Sequence, residues 1–61
     1  MNTIELIATL KEMGKKAGKE NIVGGIIDAI INYYNNKANF FEEDAIRVFK
    51  RFLKTGVLQF S

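Results

Sequence analysis

Ile22-Val23-Gly24-Gly25-Ile26-Ile27-Asp28-Ala29-Ile30-Ile31-Asn32-Tyr33-Tyr34-Asn35 is the stretch on which the architecture turns. Its isoleucines and valine favour a strand by intrinsic preference. Length and period argue the other way. No turn signal interrupts the run, and its small or polar members, Gly24, Gly25, Asp28, Asn32 and Asn35, keep helical spacing. At 100° per residue the apolar members cover roughly 200° of the circumference. A helix that is apolar over such a width has to touch two neighbours at once. The reading is therefore a central helix over about 20–35.

Upstream, Asn2 and Thr3 are both able to cap a helix. From there Thr3, Leu6, Ile7, Leu10, Met13, Gly14 and Ala17 share one face, with Lys11, Glu12, Lys15 and Lys16 on the other. Gly14 costs roughly 1 kcal/mol inside a helix, so the helix either stops there or runs on to Gly18, a suitable left-handed cap. Downstream, Asn35 to Asn39 reads as a loop, and Asn39 with Glu42 three residues on resembles a capping box. Phe41, Ala45, Ile46, Val48, Phe49, Phe52 and Leu53 then span an arc of roughly 160°. Gly56 is a natural stop, followed by an apolar tail with Val57, Leu58 and Phe60. The sequence thus predicts an all-α fold: a single domain over residues 1–61, built as a compact three-helix bundle with helices at about 3–17, 20–35 and 40–55.

Composition bounds how such a domain is held together. A chain of 61 residues buries only about 60% of the surface its unfolded form exposes. It has no Cys and no His, so neither disulfides nor the usual structural zinc ligands are at hand. Yet 48% of its residues are hydrophobic. Surplus apolar surface on so small a body predicts self-association as a homodimer, or docking on a larger protein. No signal-peptide pattern is visible, because the first apolar stretch carries Glu5 and lacks a basic leader. The longest apolar run, Ile22 to Tyr34, is too short to span a bilayer and contains Asp28. No membrane association and a cytoplasmic location are the expectations.

Catalytic equipment is sparse. The commonest general base and the strongest nucleophile are both missing, and Ser occurs only at Ser61. Glu42, Glu43 and Asp44 suit the first turn of a helix, where carboxylates complement its dipole; the rival reading is a divalent-cation site. Gly14-Lys15-Lys16-Ala17-Gly18-Lys19-Glu20 departs from a phosphate loop in its glycine spacing and in lacking Ser or Thr after Lys19. The expectation is a non-enzymatic protein with no metal and no cofactor.

Binding surfaces come in two kinds. Tyr33, Tyr34, Phe40, Leu58 and Phe60 are the expected partner interface, since aromatic side chains near a loop make effective anchors. Lys15, Lys16, Lys19, Arg47, Lys50, Arg51 and Lys54 form basic clusters near the ends of the first and third helices. They support an alternative, a small DNA-binding regulator contacting phosphates, although basic residues at helix C-termini also complement the dipole. Met13-Gly14-Lys15-Lys16-Ala17-Gly18 with Ile26-Ile27 resembles the helix-turn-helix of bacterial repressors, but Lys19 and Gly24 stand where that motif packs apolar side chains. Leu10-Lys11-Glu12-Met13-Gly14, with Asp44-Ala45-Ile46 and Leu53, resembles the ubiquitin-associated domain, with Lys15 in place of its aromatic. Neither resemblance assigns a family. The sequence favours a small regulatory or protein-interaction module.

Overall fold

A computed structural model describes residues 3–39 and 41–60 of the chain. Leu6, Leu10 and Gly14, four residues apart, form the buried line of the first helix, α1 (Thr3–Lys16). Ile7 and Met13 flank that line and pack partly against the core. Thr3 and Ala17, expected on the same face, are exposed at its two ends. Gly14 does not stop the helix. It sits fully inside, and a methyl group added to it would come within 2.7 Å of Val23 Cγ2. The glycine is the gap into which Val23 fits.

Termination comes at Gly18, whose φ of 71° is left-handed. The Gly18 N–H donates to the Lys15 carbonyl at 3.0 Å and the Lys19 N–H to the Gly14 carbonyl at 2.9 Å. That reciprocal pair satisfies carbonyls that a helix end otherwise leaves without donors, as in a Schellman cap. The chain then turns through residues 20–22, and the central helix α2 (Gly24–Asn35) starts four residues later than its hydrophobic pattern predicts. Packing overrides local preference here. Val23 is driven into the core beside Gly14, and its neighbour Ile22 is left 61% exposed rather than on the apolar face of a helix.

Within α2, Ile27, Ile30, Ile31 and Tyr34 are buried, while Gly24, Gly25, Asp28, Asn32 and Asn35 lie outward as the expected polar stripe. The third helix, α3 (Glu42–Thr55), buries Ala45, Val48 and Phe49. Ile46, Phe52 and Leu53 pack around them. It begins two residues later than its pattern suggests. Phe41 takes the cap position in an extended conformation, with no side-chain cap bond, so the Asn39–Glu42 capping box does not form. Phe41 is 55% exposed instead of belonging to the core. Glu42, Glu43 and Asp44 fill the first turn, where the amide dipoles favour their charge.

All three helices touch one another, and Phe49, Leu6, Leu10, Ile27 and Ile30 are the largest fully enclosed side chains. Enclosing each contributes about 1.5–3 kcal/mol. The fold is the three-helix bundle that the sequence predicts, and no strand occurs among the described residues. Gly56, at φ 78°, caps α3 by donating its N–H to the Phe52 carbonyl. From there the tail folds back on its own chain, with Leu58 and Phe60 packed against the core.

Candidate functional site: a cleft between α2, α3 and the tail

Adjacent positions on a helix point about 100° apart, and the end of α2 uses this to divide two tyrosines. Tyr34 turns inward and is 6% exposed; Tyr33 stays at the edge, half-buried. The left-handed turn at Gly56 sends the tail back so that Phe60 stacks on Tyr33, with ring centroids 4.0 Å apart and planes 20° from parallel. Phe60 also meets Tyr34 edge-on at 6.1 Å, and the two tyrosines meet each other edge-on at 5.1 Å. Beyond α2, Lys37 brings its ammonium over the Tyr33 ring, 4.7 Å from the centroid. Such a contact contributes roughly 0.5–1 kcal/mol at an exposed site.

The facing wall comes from α3. Asp44, Arg47, Val48 and Arg51 recur at helical spacing and so share one side. With Asn39, Phe41 and Gln59 they complete a cleft of about 460 Å³. Its lining carries three cations, Lys37, Arg47 and Arg51, and one carboxylate, Asp44. Arg47 donates to that carboxylate from one turn away. Burial, seconded by the Asp44 charge, pushes the Tyr34 hydroxyl above its ordinary range. The Lys37 ammonium is held above its own range by its hydrogen bond to the Tyr33 hydroxyl. Both groups therefore keep their neutral-pH forms, a neutral phenol and a cation. The arrangement offers aromatic walls, donors and positive charge. Among the described residues no cluster of acidic, His or Cys side chains is grouped to hold a metal ion.

The expected interface residues meet, but within one chain. Tyr33, Tyr34 and Phe60 pack ring on ring, and Tyr33, Leu58 and Phe60 lie partly buried against the core. Tyr34 is too deeply buried to anchor a partner directly. Phe40 lies outside the described residues.

The basic clusters divide. Arg47 and Arg51 line the cleft. Lys50 lies on the next face of α3 beside Ile46. Lys15, Lys16 and Lys54 are exposed. Lys19 is half-buried, and its Nζ donates to the Leu53 carbonyl at 2.9 Å. It satisfies a carbonyl in the last turn of α3, which has no intrahelical donor. Five cleft residues escape the sequence reading as binding groups: Phe41 and Val48, assigned to the core, and Lys37, Asn39 and Gln59. Only the position of Phe41 beside an Asn-rich loop hints at its exposure.

No family model, curated protein or solved structure matches this chain. No helix among the described residues is long and apolar enough to cross a membrane.

Proposed function

We propose that the protein is a small, non-enzymatic interaction module that docks on a partner protein through the α2–α3–tail cleft. The observation that carries the reading is Phe41. A large aromatic ring, 55% exposed, stands on the lining of a concavity whose other aromatic rings are packed together. An exposed aromatic beside a preformed pocket is the pattern of an interface anchor. Docking on a different protein is favoured over a homodimer, because Phe60 of the tail packs in cis on Tyr33 and Tyr34, three of the side chains on which self-association was expected to rest. The DNA-binding alternative has less support, since Lys19 is committed to α3 and Arg47 to Asp44. The reading keeps the cytoplasmic location expected from the sequence.

Affinity capture from extracts of cells that make the protein tests this. The unaltered chain and a Lys11→Glu control, changed on the outer face of α1, should retain the same protein. Phe41→Ser should lose it. Retention by Phe41→Ser, or a dimer of the free protein by light scattering that Phe60→Ala disperses, would turn the reading back to self-association.

A further inference from the structure

Resting on the docking proposal, we infer that the segment received by the cleft is acidic: a short extended peptide with an apolar residue flanked by carboxylates. Charge complementarity argues for it. Three cations and one carboxylate line the cleft, and that carboxylate already accepts from Arg47. Arg51 is exposed, and no salt bridge or side-chain hydrogen bond to its guanidinium is found among the described residues. A guanidinium presents a planar fork of donors that suits a carboxylate. Phe41 supplies the apolar contact. The volume, about 460 Å³, lies in the range of clefts that enclose small ligands, which suits a few residues rather than a whole helix.

A single-stranded nucleic acid would also bring negative charge, but it binds by stacking successive bases on several ring faces, and Phe41 is the one exposed ring among the described lining residues. The Tyr33 ring is covered by Phe60 and by the Lys37 ammonium, and Tyr34 is buried. A phosphodiester chain following α3 toward its start would also meet Glu42 and Glu43, which line the adjoining groove. A short peptide needs no run of exposed ring faces, and it can end short of that groove.

Amide chemical-shift titration of the intact chain provides the test, with four probes. These are a blocked peptide with a phenylalanine between aspartates and glutamates, its asparagine/glutamine counterpart, its lysine counterpart, and a short oligothymidylate. The acidic peptide should move the amides of Tyr33, Phe41 and Arg51, and bind less tightly as salt rises. Arg51→Glu, a change at an exposed position that leaves the core intact, should weaken it about tenfold, the size of one lost charge-assisted contact. Equal binding of the amide counterpart in the cleft would overturn the charge assignment and leave the docking proposal standing. Preference for the lysine peptide would do the same. Oligothymidylate binding there in place of the peptides, or no response of the cleft to any probe, would overturn both.

Discussion

The two connections of this bundle are built on opposite principles. Between α1 and α2 everything closes. Gly18 completes a reciprocal cap, Val23 seats against Gly14, and Lys19 reaches across to α3. Between α2 and α3 the chain leaves a gap. No side-chain bond caps the start of α3 at Phe41, Phe41 stays half in solvent, and the cleft opens beside it. In a domain without cysteines, close contacts tie one junction, and the docking proposal assigns binding to the other. Segments that bind are commonly drawn from the less stable end of a structure.

The comparison breaks first if the closed junction is not tight. Gly14→Ala should lower stability by a net of about 1–2 kcal/mol, because overpacking outweighs the gain in helix preference. Denaturant midpoints measure it. Val23→Ala should then cost less in the Gly14→Ala background than alone, since it removes the methyl groups that the new Cβ strikes. Strict additivity would mean the two residues do not press on each other. At the open junction, Phe60→Ala should cost about 0.5–1.5 kcal/mol in lost ring pairing, and amide exchange should quicken along the tail while α1 stays protected. The smallest effect sharpens the contrast: Phe41→Ser should change stability by no more than about 0.5 kcal/mol, while on the docking proposal the same change should abolish capture of a partner.

The helices were legible because each carries its own period. Leu6, Leu10 and Gly14, or Ala45, Val48 and Phe49, can be picked out without knowing what they face. Gly56 and Gly18 were legible as stops for a similar reason, since a left-handed residue is a local requirement. What escaped depends on partners distant in sequence. The late start of α2 follows from Val23 meeting Gly14, and the pattern around Ile22 cannot register that contact. Lys19 looked like one more surface cation because its acceptor, the Leu53 carbonyl, is 34 residues away. Gly14 looked like a weak point in α1 when it is the space that α1 and its connection share. At the candidate site, Tyr33, Tyr34 and Phe60 were picked out by type and place. Their arrangement in a single chain required knowing that the tail turns back.

Lys19 has a chemical corollary. Its nitrogen is engaged with a carbonyl oxygen, whereas those of Lys15 and Lys16 project from the exposed end of α1. Amine-directed acylation under mild conditions will tag those two neighbours ahead of Lys19. Once Lys19 is converted to an amide, its cationic grip on the end of α3 is gone, and the last turn of α3 is freed to fray.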